Sequence, residues 1–284
     1  MIMKQFNMTR FGHVLKLDFA EGRKAMMWGA LCMVLLYLFF FWFAHEIAFH
    51  DNRYDYINDP DERLRLHISG ICEAVGTFGA MAMYIFFLIT ASTLYRAEQK
   101  KQQRIAWLML PATNLEKFTS RWIYMAVFSI VGGLLTYFVA DLIHMAYLWM
   151  TGNPVMSATD DFFHLFPHTR TFPSGEYTGD NPLSVTAQYT FFITIHAFFL
   201  LGGVFFKKFH FIATSAVVVI LFVGIVATAN MFRYRDTPFT TEEAIALSNI
   251  IQISIRVGLT ALFTWLAYRL FCRWQVVTHK FANV

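Results

Sequence analysis

The sequence predicts an all-α polytopic membrane protein, and three observations predict it. Of 284 residues, 57% are hydrophobic and 15% charged, against roughly 45–50% and about 25% in soluble domains. The apolar residues fall in six long uninterrupted runs, not in the short alternating segments that an outer-membrane barrel needs. Lys and Arg are also distributed unevenly between alternate connections, as the positive-inside rule requires of a spanning chain.

A helical span takes about 20 apolar residues to cross roughly 30 Å of hydrocarbon, where an unpaired backbone group finds no partner. The runs at 25–47, 68–95, 122–150, 183–206, 211–232 and 245–271 meet that length. Ahead of them, residues 6–24 place Phe11, Val14, Leu15 and Phe19 at near-helical spacing among Arg10, Lys16, Arg23 and Lys24. This pattern predicts an amphipathic helix lying on the inner leaflet. The whole of 1–284 is expected to be one transmembrane domain.

With the N-terminus inside, the inner segments hold sixteen Lys and Arg and the outer loops six, while the outer loops hold twelve Asp and Glu and the inner segments four. Both ends are therefore expected on the cytoplasmic side of the membrane. The net charge of +4 is met by anionic lipid and needs no nucleic-acid partner. Cys32, Cys72 and Cys272 lie in or at the ends of spans and form neither a disulfide framework nor a CxxC metal pattern.

Asp59-Pro60-Asp61 reads as a turn in the first outer loop. The larger outer loop, 151–182, contains Pro154, Pro167, Pro173, Gly175, Gly179 and Pro182 with aromatic residues between them. Its aromatics favour a packed cap over a disordered tail. The connection 96–121 turns from polar to apolar at Ile105, stops at Pro111, and continues as Thr113-Asn114-Leu115-Glu116. That tetrapeptide is a capping box, in which a hydroxyl and a carboxylate pair with the orphan donors of a new helix. A short helix across the cytoplasmic surface is expected before the third span, with Leu115 and Phe118 presenting apolar surface one turn apart.

No Walker A pattern is present, so the chain has no ATPase site of its own, and no cofactor is expected. His45-Glu46 followed by His50 is not HExxH: five residues of helix turn the two rings about 140° apart. His164 and His168 have i, i+4 spacing with Pro167 between them. No metal site is assigned to either. Gly76, Gly79, Ala80, Gly132 and Gly133 read as close-packing positions between helices, and Tyr147, Trp149 and Trp265 as belt aromatics.

Inside the spans lie Glu73, Asp141, His144, His196 and Arg256. An ionisable side chain in hydrocarbon needs a partner or water. Arg256 lies about eleven residues into the sixth span, roughly 16 Å, and Asp141 about nine residues into the third, roughly 13 Å. The similar depth predicts an Asp141–Arg256 ion pair, with Glu73 as the second choice.

The stretch from Leu110 to Arg121, Leu-Pro-Ala-Thr-Asn-Leu-Glu-Lys-Phe-Thr-Ser-Arg, resembles the segment between the second and third spans of ABC-2 type permeases. The six-span plan and the N-terminal interfacial helix resemble the same family. The resemblance implies an exporter subunit that pairs with a second permease, either a copy or a paralogue, and with separate cytoplasmic ABC ATPase chains. It further implies that Pro111, Thr113, Leu115, Glu116, Lys117 and Phe118 couple ATPase closure to the helices. The connection between the fifth and sixth spans, 233–244, is shorter than the re-entrant outer helices of some members and is given no such role. Two other readings stay open: a membrane-embedded metal-dependent enzyme using the His and carboxylate groups, and a non-transporting sensor or assembly subunit.

Overall fold

The computed structural model describes residues 6–49, 57–95, 105, 107, 109–164, 182–206, 209–233 and 242–273. Their regular elements are helical: α1 (Met8–Phe49), α2 (Pro60–Thr93), α3 (Asn114–Val127), a π-helical turn (Phe128–Gly132), α4 (Gly133–Met150), α5 (Thr159–His164), α6 (Pro182–Phe205), α7 (His210–Arg233) and α8 (Glu242–Arg273). Met8–Ile47, Pro60–Thr93, Asn114–Met150, Val185–Phe205 and Ala246–Arg273 are long and apolar enough to cross a membrane, which marks the chain as a multi-pass membrane protein. The sequence leads one to expect six spans. The fifth of them, 211–232, falls on α7, where the described residues give an apolar helix over His210–Leu221.

The helix ends follow from local chemistry. Asn7 caps α1: its Oδ1 accepts the backbone N–H of Thr9 at 2.9 Å and of Arg10 at 3.3 Å. No break follows near residue 24. The segment expected as a separate interfacial helix runs straight into the first span as one helix of 42 residues, because isolated glycines such as Gly22 and Gly29 cost only about 1 kcal/mol each and no proline intervenes. Asp59-Pro60-Asp61, expected as a turn, starts α2 instead. Asp59 is the cap, its Oδ1 accepting the Asp61 N–H at 3.0 Å, and Pro60 takes the first helical position, where its missing N–H costs nothing. At the other end of α4, Gly152 adopts φ +73°, and the N–H groups of Gly152 and Asn153 return to the Trp149 and Leu148 carbonyls. This is a Schellman stop, which a residue with a Cβ adopts only under strain.

The chain divides into two compact units, to both of which α1, α2 and α3 contribute. The first takes in Met1–Asp18, Leu88–Met125 and Pro167–Val284. Its core is aromatic, built on Leu94, Tyr95, Trp107, Phe118, Leu200, Val204 and Phe271. Gly202 and Gly203 admit Thr214 and the Ser92 backbone so closely that a Cβ at either position would clash, which is the small-residue route to close helix contact.

The second unit takes in Phe19–Phe87 and Ala126–Phe166. Met33, Tyr37, Phe41, Ile71, Val75, Tyr137, Leu148 and Phe162 are among its buried residues. Here the short α5 lies tight on α2. A Cβ on Gly76 would stand 2.6 Å from the Phe162 backbone nitrogen, and one on Gly79 would stand 2.6 Å from the Tyr137 ring. The two glycines expected to serve helix packing thus serve the packing of α5 and of Tyr137.

Candidate functional site

The 105–121 segment is organised by one carboxylate. Glu116 Oε2 accepts the Thr113 N–H at 2.7 Å, and Thr113 Oγ1 accepts the Glu116 N–H at 3.2 Å, the reciprocal pair of a capping box. Glu116 Oε1 also accepts the Asn7 N–H at 2.6 Å and Arg10 Nη2 at 3.0 Å. One buried side chain therefore ties the start of α3 to the start of α1. A turn further on, Asp18 accepts from the Ser120 hydroxyl and forms an ion pair with the Arg121 guanidinium, Nε to Oδ1 3.1 Å. The Lys117 ammonium and the Arg121 guanidinium lie 5.5 and 5.7 Å from the centre of the Trp107 ring, within cation–π range.

These contacts divide the residues expected to couple to an ATPase. Glu116, Lys117 and Phe118 are buried, with Phe118 stacked on Tyr95 and packed on Tyr268 and Phe271. Phe118 therefore presents no surface beside Leu115, contrary to expectation: the aromatic core of its unit takes the ring. Pro111 and Leu115 are exposed, Thr113 is half-buried, and Ile105 and Met109 extend the exposed apolar set. The capping box also opens the helical run that continues through the π turn to Met150, and Ile105 and Trp107 ahead of it are helical as well.

Asp141 and Arg256, expected as an ion pair, fall in different units, and each has hydrogen-bond partners within its own. Asp141 is buried and accepts from Ser157 Oγ at 2.6 Å, the Ala158 N–H at 3.1 Å and Thr159 Oγ1 at 2.7 Å. The carboxylate caps the N-terminus of α5 from α4. Tyr137 adds a hydroxyl donated to the Ala158 carbonyl at 2.9 Å. Arg256 donates from Nη2 to Gln252 Oε1 at 2.7 Å and from Nη1 to the Ala187 carbonyl, and lies over the Phe191 ring. Glu73, the second choice, acts elsewhere: with Asp160 it raises the Asp161 carboxyl above the usual carboxylate range, burial being the larger cause.

A fourth arrangement has no signal in the sequence. His45 Nε2 and His144 Nε2 face each other at 3.1 Å. The His144 ring is buried and stacks on Phe41 with centroids 4.0 Å apart, and Tyr147 sets its edge on His45. The partner of His45 thus lies on α4. His50, His168 and the side chain of His164 lie outside the described residues. Among the described residues no group of three or more His, Cys, Asp or Glu could hold a metal.

The chain matches no family model, no curated protein and no solved structure.

Proposed function

We propose that this chain is the transmembrane permease subunit of an ATP-driven exporter of the ABC-2 type. It crosses the bacterial inner membrane six times with both ends in the cytoplasm, α7 supplying the fifth span. It pairs with a second permease chain and draws on separate ATPase subunits.

The observation that carries the reading is the set of Ile105, Met109, Pro111 and Leu115. These apolar residues are exposed, Met109 to 80%, on a segment braced from behind by Glu116 and Asp18. Apolar side chains presented at a helix start need a cover, and a cytoplasmic ATPase is the cover that this reading supplies. Movement imposed at Leu115 passes into a single helical run ending at Met150, which makes the segment an effective lever.

Photo-crosslinkers placed at Met109 and Leu115 in native membranes test it, with the buried Phe118 as the control position. Capture of a chain bearing a Walker A motif from the first two positions is the expected result. Capture of lipid alone at both positions sinks the reading.

A further inference from the structure

We propose that His45 and His144 form an acid-released latch that holds the end of α1 to α4. A neutral imidazole carries one N–H and one bare nitrogen. Two Nε2 atoms 3.1 Å apart form a hydrogen bond only when one of them bears hydrogen and the other does not. The contact therefore survives while one of the two Nε2 atoms stays bare, and is lost once both rings are protonated.

The surroundings select which ring donates. His144 Nδ1 is buried with no hydrogen-bond partner. If His45 were the donor, His144 would carry its hydrogen on Nδ1, as a buried and unmet N–H. If His144 donates from Nε2, its Nδ1 is a bare lone pair. An orphaned donor is the rarer and costlier of the two, so His144 donates and His45 accepts. The hydrogen of His45 then lies on its own Nδ1; His45 is half-buried, about 6 Å before the end of α1.

Acid adds two protons to the neutral pair in turn. The first, on His144 Nδ1, leaves the Nε2–H of His144 donating to the bare Nε2 of His45, at the cost of a buried N–H that faces no acceptor. The second, on His45 Nε2, sets two N–H groups against each other; the Nε2–Nε2 contact is then lost and two cationic rings repel.

On α4, Asp141 precedes His144 by one turn but is filled by Ser157, Ala158 and Thr159, and Tyr147 meets His45 with its ring edge. On α1, Glu46 is exposed. On α2, the Cys72 thiol donates to the Met156 carbonyl, and Glu73 with the α5 residues Asp160 and Asp161 forms a separate acidic group.

A metal ion is the competing occupant, since a 3.1 Å separation also suits two nitrogens about 2.0 Å from a tetrahedral zinc. Metal-bound imidazoles almost always donate their second N–H to a carboxylate or carbonyl. His144 Nδ1 has no such acceptor, so the shared hydrogen is favoured over the metal.

The test is the apparent Tm of the purified full chain in detergent from about pH 8 to about pH 4, a range that spans the titration of free imidazole near ~6.5. The wild type is compared with His144→Phe, which keeps a ring for Phe41 to stack on, and with His45→Gln, a milder change on the half-buried side. Loss of one hydrogen bond lowers Tm by about 2–4 °C in a chain of this size, so the wild type should lose at least that much more on acidification than either variant. Nitrogen-15 NMR of the histidines provides a second readout should His144→Phe fail to fold: one hydrogen-bearing and one bare Nε2, coupled across the hydrogen bond near pH 8 and uncoupled in acid. Equal acid loss in wild type and variants overturns the proposal. So does stabilisation by added zinc that requires both histidines.

Discussion

Glu116 Oε1 lies 2.6 Å from the backbone nitrogen of Asn7, so the residue that closes the cap of α3 also meets the residue that caps α1. Two helix starts 109 positions apart in the chain share one carboxylate. Glu116→Ala would leave the N–H groups of Thr113 and Asn7 and the Arg10 guanidinium without that acceptor, and should cost about 3 kcal/mol. Glu116→Gln keeps an acceptor oxygen and should cost less. Thermal unfolding in detergent checks the order, and an alanine variant as stable as wild type would contradict the shared-cap geometry.

The glycines give a contrast that needs no functional assay. Gly76→Ala drives a Cβ to within 2.6 Å of the Phe162 backbone nitrogen and should destabilise by about 1–3 kcal/mol, as overpacking does. Gly258, in α8, has nothing within 4 Å of its added Cβ, and Gly258→Ala should stabilise by about 0.5–1 kcal/mol through helix propensity. Stability losses of the same size at both positions would count against the close seating of α5.

Asp141 and Arg256 should behave as independent residues. Asp141→Ala removes the acceptor of three donors and should cost about 2–4 kcal/mol, whereas Arg256→Gln gives up bonds to neutral groups and should cost less. In the double variant the effects should add within about 0.5 kcal/mol. A coupling energy well above that in a double-mutant cycle would restore the ion pair expected from depth.

Asp161 makes a prediction about pH. Its carboxyl is raised by burial and by Asp160 and Glu73, so the folded chain binds its proton more tightly than the unfolded chain, whose carboxyl titrates near ~3.9. The stability this provides is complete below that value and is lost as the pH rises through the folded value. Asp161→Asn cannot ionise, so it should raise Tm at pH 7 and lose its advantage in acid. A variant less stable than wild type at neutral pH would refute this reading of the acidic group.

What could be read along the chain was what depends on neighbours a few residues apart. Apolar runs of sufficient length placed the helices of the five candidate spans to within a few residues at most ends, and the Thr113–Glu116 spacing announced a cap that forms as expected. Such features arise from hydrogen bonds between a residue and one three or four positions away, so the order of residues is enough to specify them. The same rule, weighed differently, would have identified Asp59-Pro60 as a helix start, since a cap followed by proline at the first position is also a local signature.

Which side chains meet was decided by the fold. His45 and His144 stand 99 residues apart, Asn7 and Glu116 stand 109 apart, and Phe118 is hidden while its near neighbour Leu115 is exposed. Each outcome depends on how far a helix is turned about its axis and which face it buries, and a rotation of 100° per residue carries a side chain from core to surface in one or two positions. Depth in the membrane constrains only the axial coordinate, so by itself it could not foresee the Ser157, Ala158 and Thr159 donors around Asp141 or the Gln252 and Ala187 acceptors of Arg256.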